Sequence, residues 1–460
     1  MGEGLQEDRK TELPMIREGG GSTGRKFAAS GIFPRWLTDQ GQRFLTVSIP
    51  LLSLFLIVAI AITFIPSNPY SPFSSKITPR LRSFFLLYRS DQNHGPAASA
   101  SASASNTSSS SSAEVNSSRM AVCLVGGARR FELTGPSIME RILKVYPEAD
   151  LFLHSPFDKN SFKLLLLRKA PRIAWVRIFQ PQPMPETEPE LRVLTASGSP
   201  NGIQGLLQYF NLVEGCLTMI KAYQEQNSFK YDWIVRTRVD GFWNAPLGPE
   251  FFLRDSYLVP PGSSYGGLND RLGIGDMTTS VAALSRLSLI LQLDAAGFRQ
   301  LNSETSFRAQ LTTQNVSYVT KRLPFCIVTD RKYSFPPFRY GVPVAAMSSP
   351  GPLSGAKCRP CTVVCKDKCV ADVMSELDRG WSWTDWENGT LRLCDAHGEW
   401  ESGWERIFDR SAGRKLANER RRVWSLTQRE CVEEFEKMRR RSGRWEAPTA
   451  EEICKLGSEH

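Results

Sequence analysis

From Met120 onward, short apolar runs alternate with amphipathic stretches. "MAVCLV", "ADLFLHS" and "RIAWVRIF" are nearly continuous apolar runs of strand length. Such runs, bounded by turn signals, predict buried strands. "SIMERILKVYP" predicts a helix between the first two. In "NGIQGLLQYFNLVEGCLTMIKAYQEQ" the residues Ile203, Leu206, Leu207, Phe210, Val213, Leu217 and Ile220 recur at helical spacing. That stripe predicts a core-facing helix. Gln204, Gln208 and Asn211 fall at its edge, open to a ligand or to solvent. Further on, "DSYLVPPGSSYGGLNDRLGIGDMTTSVAALSRLSLILQL" predicts a short strand, a glycine-rich loop with Asn269, Asp270 and Arg271, an apolar strand and a helix. Asp276 or a threonine after it is the expected N-cap. Glu304 falls in the first turn of one more helix, where carboxylates are favoured anyway. Strands alternating with helices predict α/β layers.

The stretch "YDWIVRTRVDGFW" breaks the apolar rule. Successive side chains of a strand point to opposite faces. Ile234, Arg236, Arg238 and Asp240 therefore share one face, while Trp233, Val235, Thr237 and Val239 share the other. The three charges line up toward the strand's C-terminal end, the end that faces the ligand crevice in open α/β sheets. Two readings stand side by side. One is an internal Arg–Asp salt bridge; the other is a site for a diphosphate and its metal. The first strand ends at Gly126 and Gly127, followed by Arg129. Glycines there let a ligand approach the backbone, although they also serve ordinary turns. Their spacing matches neither a dinucleotide fingerprint nor a P-loop.

Ahead of this domain the pattern changes. Leu45–Ile65 is an uncharged apolar stretch, and about 20 such residues cross a bilayer as a helix. It predicts one membrane anchor between a cytosolic tail, 1–44, and a Ser/Ala-rich stem, 66–119. Flanking charge leaves the orientation nearly tied. Asn106, Asn116, Asn315 and Asn388 each open an N-x-Ser/Thr sequon, and all ten cysteines follow the anchor. Both features suit an oxidising lumen, so the expected topology is type II with the domain in the Golgi lumen.

Net charge is +10 and is uneven: residues 410–444 carry 12 Lys/Arg against 5 Asp/Glu. A solvated helix face is the ordinary meaning of such a tract, and the expected luminal topology counts against nucleic acid as partner. Residues 346–460 form the expected C-terminal module, rich in Cys and Trp. Cys358, Cys361, Cys365 and Cys369, with Cys394, Cys431 and Cys454, are expected in disulfides in that compartment, with no zinc. Trp381, Trp383, Trp386, Trp400 and Trp404 would fill a small core or stack on sugars.

The succession of the first strand with Gly126 and Gly127, "YDWIVRTRVDGFW", "GGLNDRLGIG" and the Glu304 helix resembles a GT-A glycosyltransferase domain of the nucleotide-diphospho-sugar transferase type. The resemblance covers about residues 120–340, and the layout is similar to that of a family of uncharacterised plant type II membrane proteins. It implies a GT-A-like, Rossmann-type mixed α/β sheet over 120–345 with flanking helices. It also implies a nucleotide-sugar donor across Gly126, Gly127, Arg129, Arg236, Arg238 and Asp240. The family holds a divalent metal, Mn2+ or Mg2+, at an Asp-x-Asp motif. This chain has Arg238-Val239-Asp240 there, so Asp240 alone would serve the metal, and an arginine would replace part of its charge. Asp270 or Glu304 would act as catalytic base toward a glycan acceptor, Asp270 being slightly preferred because its loop is flanked by glycines. The alternative is a non-catalytic luminal protein that binds glycans or partner enzymes, alone or as a homo-oligomer.

The luminal expectation is directly measurable. Full-length protein from a secretory host is expected to lose mass on endoglycosidase treatment, and replacement of all four sequon asparagines should remove that shift. Wild-type protein carrying no glycan would contradict it.

Overall fold

The computed structural model describes residues 112–197, 199, 201–333, 344–377 and 390–457. The expected anchor, most of the stem, the sequons at Asn106 and Asn388, and Trp381, Trp383 and Trp386 lie outside the described residues. The described strands are β1 Met120–Val125, β2 Asp150–Pro156, β3 Arg172–Phe179, β4 Trp233–Arg238, β5 Gly241–Trp243, β6 Ser256–Val259, β7 Leu272–Asp276, β8 Ser317–Thr320, β9 Phe325–Val328, β10 Val344–Ala346, β11 Lys357–Arg359, β12 Val363–Cys365, β13 Leu393–Cys394 and β14 Ser442–Glu446.

An eight-stranded mixed sheet runs β14-β3-β2-β1-β4-β7-β6-β8. Neighbours from β14 to β4 are parallel, and β7 is antiparallel to both β4 and β6. Apolar burial on both faces explains the continuous hydrophobic runs. On one face Trp233 and Val235 pack with Phe131, Ile138 and Ile142. On the other Ile234 packs with Val213, Leu217 and Ile220 of the helix Gly202–Asn227. Each such side chain contributes about 1.5–3 kcal/mol when fully buried. The alternation expected along β4 is present.

The helix expected over "SIMERILKVYP" begins earlier, at Phe131, and runs as α-helix to Ile138. Pro136 lies inside it and supplies no N–H to the ladder. The next turn, Met139–Leu143, widens to π spacing. Gln204 does not face solvent alone. Its amide donates to the Met184 carbonyl at 2.8 Å and to Glu186 at 2.7 Å, and its carbonyl accepts from the Met184 N–H at 2.9 Å, which pins the proline-rich 181–200 segment to the helix.

A second, six-stranded sheet runs β12-β13-β10-β11-β9-β5. Both sheets cross the boundary expected near residue 345. Strand β14 pairs with β3, Arg444 opposite Trp175 and Trp445 opposite Val176. Phe435, Met438 and Ile453 share a core with Phe162 and Leu164. A small aromatic-bearing strand inside a basic tract gives little sequence signal, so this junction was not legible. The basic tract is a surface laced with ion pairs: Arg168 meets Glu434 at 2.5 Å, Lys169 meets Glu419 at 2.8 Å and Arg420 meets Asp409 at 2.9 Å.

All ten cysteines are paired, as 123–216, 326–358, 361–394, 365–369 and 431–454. The tail disulfides expected from the compartment are present. Cys123–Cys216 ties β1 to the helix Gly202–Asn227 across 93 residues of chain. Replacing both cysteines by alanine should therefore cost about 2–5 kcal/mol of stability. Unreduced, denatured protein is expected to take up no thiol label; labelling of Cys123 and Cys216 with unchanged melting would contradict the pairing.

Candidate functional site

The site is built where β4 ends. Thr237 stands opposite Leu272 in the β4–β7 ladder, so Asp270, two residues before β7, arrives beside the C-terminal end of β4. Asp270 is 4% exposed. The Ser303 hydroxyl donates to its carboxylate, Arg286 Nη1 lies 3.7 Å away, and the Tyr209 hydroxyl donates to its backbone carbonyl at 2.6 Å. Burial works against its charge, but Arg286 and then Arg236 outweigh burial and hold the Asp270 carboxyl below its ordinary range. Arg286 lies over the rings of Phe210 and Phe307, 4.3 and 4.9 Å from their centres, and donates to the Ser303 carbonyl at 2.8 Å and to Ser306 at 3.1 Å.

Arg238 forks onto Asp240, Nε to Oδ1 at 2.9 Å and Nη2 to Oδ2 at 2.5 Å. The salt-bridge reading of this pair is therefore what the side chains form. Arg236, on the same face of β4, is 1% exposed, and its Nε and Nη1 have no hydrogen-bond partner.

Glu304 lies in the first turn of the helix Ser303–Thr313, which Asn302 caps by accepting from the Thr305 N–H at 2.7 Å. The Glu304 carbonyl accepts from Leu268 N–H at 3.0 Å. That approach requires glycine at 267, where a Cβ would stand 1.9 Å from the carbonyl oxygen. Burial first, and then the neighbouring Asp270 charge, push the Glu304 carboxyl up to about 7. Lys357 reaches the same region from β11. Burial, then Arg271 and Arg331, bring its ammonium down to about 7. Its Nζ is 3.4 Å from the Tyr265 hydroxyl and 5.0 Å from the Tyr333 ring centre. Arg271 is fixed by the Ser263 hydroxyl and, at 2.9 Å, by the Gly355 carbonyl.

Of the residues singled out from sequence, Arg236, Arg238, Asp240, Asp270 and Glu304 thus gather at one place. Gly126 and Gly127 end β1 nearby, but their close contacts are with protein. A Cβ on Gly126 would meet Val239 at 3.1 Å, and one on Gly127 would meet Asp158 at 3.1 Å. Arg129 is exposed, and its carbonyl accepts from Lys163 at 2.6 Å. Sequence reasoning missed Lys357, Arg286 and Tyr209 as site residues. Tyr209 and Arg286 lie on otherwise apolar stretches, and Lys357 lies beside the cysteine tail, where no spacing rule links it to Glu304.

The residues present do not make a Mn2+ or Mg2+ site. Both Asp240 oxygens are taken by Arg238, and among the described residues no group of three His, Cys, Asp or Glu side chains is placed to hold a metal. Hard divalent cations need several oxygen ligands.

Fold and site together define a mixed α/β protein with a cluster of charged side chains at the C-terminal end of β4. The chain belongs to the family described as Domain of unknown function (DUF7796), whose model matches residues 115–460. No curated protein matches the chain. A solved structure, mouse xyloside xylosyltransferase 1 in its apo form, is similar at 12% identity and a TM-score of 0.30, over 45% of this chain and 85% of that one. A similarity of that size decides neither fold nor function.

The two carboxylates make different demands on the fold. Asp270→Asn should cost about 3–5 kcal/mol, because it strips buried arginines of their counter-charge. Asp240→Asn, at a partly exposed pair, should cost about 1 kcal/mol or less. Melting curves of the two full-length variants side by side check this, and a larger loss at Asp240 would contradict it.

Proposed function

We propose that this protein is a glycosyltransferase of the Golgi lumen, anchored by Leu45–Ile65, that moves a sugar from a nucleotide-sugar donor to a glycan or glycoconjugate. The observation that carries the reading is the excess of positive charge at the strand ends. Arg236, Arg238, Arg271, Arg286 and Lys357 stand against Asp240, Asp270 and a Glu304 whose carboxyl is half protonated near neutrality. A cluster with this charge suits a diphosphate, and arginine forks suit its oxygens.

The roles follow from exposure and charge. Arg238 and Lys357 face the donor diphosphate. As the anomeric carbon–oxygen bond breaks, negative charge collects on the leaving diphosphate, and these cations stabilise it. Glu304 takes the proton of the acceptor hydroxyl. Asp270, buried and held ionised by arginines, positions Arg286 and Ser303 and does not meet the acceptor. Gly126, Gly127 and Arg129 border the donor side. In this reading the arginines and Lys357 replace a metal.

The pair Glu304–Lys357 sets the pH dependence. Glu304 becomes a base as pH rises through about 7, and Lys357 loses its charge as pH rises through about 7. Turnover should therefore peak near neutrality and fall on both sides. Glu304→Gln should lower donor turnover by about 10²–10⁴-fold while leaving donor binding within about threefold. A screen of nucleotide sugars by melting temperature on full-length protein identifies the donor first, because a ligand of the folded state raises stability by mass action. No stabilisation by any nucleotide sugar would contradict the reading. The neutralisation of Asp240 by Arg238 favours a second reading, a non-catalytic protein that binds the donor or a glycan for partner enzymes. Donor binding without any turnover across pH 5–9 would select it.

A further inference from the structure

Two tryptophans of the C-terminal part reach the surface and have no part in the charged cluster at the end of β4. Trp404 opens the helix Trp404–Ala412, and Trp424 lies near the end of the helix Arg414–Ser425. Other side chains fill the core beneath these helices. Phe408, Leu416 and Val423 are buried, whereas Trp404 is partly exposed and Trp424 is 47% exposed. Both indoles are nevertheless fixed in place. Phe162 meets Trp424 edge to face with ring centres 5.5 Å apart, and Lys163 Nζ lies 4.7 Å from the Trp424 ring centre. Trp400 meets Trp404 edge to face at 4.8 Å, and Trp400 Nε1 donates to the Thr329 carbonyl at 3.0 Å. An aromatic surface that is exposed and already ordered loses little entropy when a ligand packs on it.

Both indoles line one open groove of about 490 Å³, together with Arg130, Glu132, Glu405 and Arg421. That volume is ordinary for a small-molecule site. The charges around it are matched. Lys163 pairs with Glu132 at 2.9 Å, Arg130 lies 3.6 Å from Asp330, and Arg420 and Arg421 both bind Asp409. With each of these cations already facing a carboxylate, the groove makes no special demand for an anion. Hydrogen-bonding capacity remains, because a guanidinium carries more N–H groups than one carboxylate takes up. Glu132 Oε1 has Arg130 Nη1 at 3.7 Å, beyond hydrogen-bond distance. Ring faces flanked by N–H donors and carboxylate acceptors match a ligand with an apolar C–H face and a rim of hydroxyls, which is the surface of a sugar ring. We propose that this groove binds a neutral oligosaccharide, stacked on Trp424 and Trp404 and held through its hydroxyls by Arg130, Glu132, Glu405 and Arg421. The groove shares no residue with the cluster of Arg238 and Lys357, so the proposal stands whether or not the protein transfers sugars.

Calorimetric titration of full-length protein with cellotetraose, xylotetraose, mannotetraose and galactotetraose tests it, with trigalacturonate as the anionic comparison. At least one neutral probe should bind with a Kd between about 10 μM and 1 mM and more tightly than trigalacturonate. Trp424→Ala should weaken that binding about tenfold or more. Arg421→Gln, at a side chain 53% exposed, should weaken it about threefold and serves as the second variant should Trp424→Ala not fold. Nucleoside diphosphate binding should be the same in both variants as in wild type, which separates a failure here from a failure of the transferase reading. Binding of none of the neutral probes, a preference for trigalacturonate, or neutral-probe affinity unchanged in whichever variant folds would overturn the proposal.

Discussion

A guanidinium taken out of water must be answered by acceptors and by negative charge, and the charged cluster at the end of β4 is organised by that demand. Arg236 and Arg238 project from one face of a central strand because strand side chains alternate. Everything around them supplies partial answers. Asp240 takes Arg238 in a fork, and Asp270 enters from the loop just ahead of the antiparallel β7. The aromatic rings of Phe210 and Phe307 hold Arg286 in place beside it. The answers fall short of the positive charge, and that shortfall is what gives the cluster its affinity for anions in the proposed function.

The second sheet brings Lys357 to the charged cluster. The chain leaves the large sheet at Arg238 and enters the second at Gly241, so Asp240 sits at the crossing. Its carbonyl accepts from the Val328 N–H of β9 at 2.9 Å, and β9 pairs with β11, the strand that carries Lys357. Cys326–Cys358 clamps those two strands together. The position of Lys357 relative to Glu304 therefore depends on residues distant in sequence, and disulfides hold the strands that set it.

Much of the large sheet was legible because its signals are local. Apolar runs marked β1 to β4, helical spacing marked Gly202–Asn227, and Asp276 is the N-cap, accepting from the Thr279 N–H at 2.8 Å. The shared face of Arg236, Arg238 and Asp240 followed from strand period alone. What was not legible depends on pairing across the chain. Strand β14 joins β3 from residues 442–446, which read as part of a basic helical tract. The relative exposure of Asp270 and Glu304 was likewise hidden. Glycines around Asp270 suggested an open loop, yet Gly267 serves to seat that loop against the Glu304 carbonyl, which buries the aspartate and leaves the glutamate in the half-buried position.

The central claim is that cationic side chains, without a metal, hold a diphosphate at the end of β4. Calorimetric titration of full-length protein with a nucleoside diphosphate, in chelator and then in excess Mn2+, tests it most directly. At pH 6, where Lys357 is mostly charged, binding in chelator should be measurable and should change by less than about threefold on adding Mn2+. No heat in chelator, with tight binding restored by Mn2+, would contradict it.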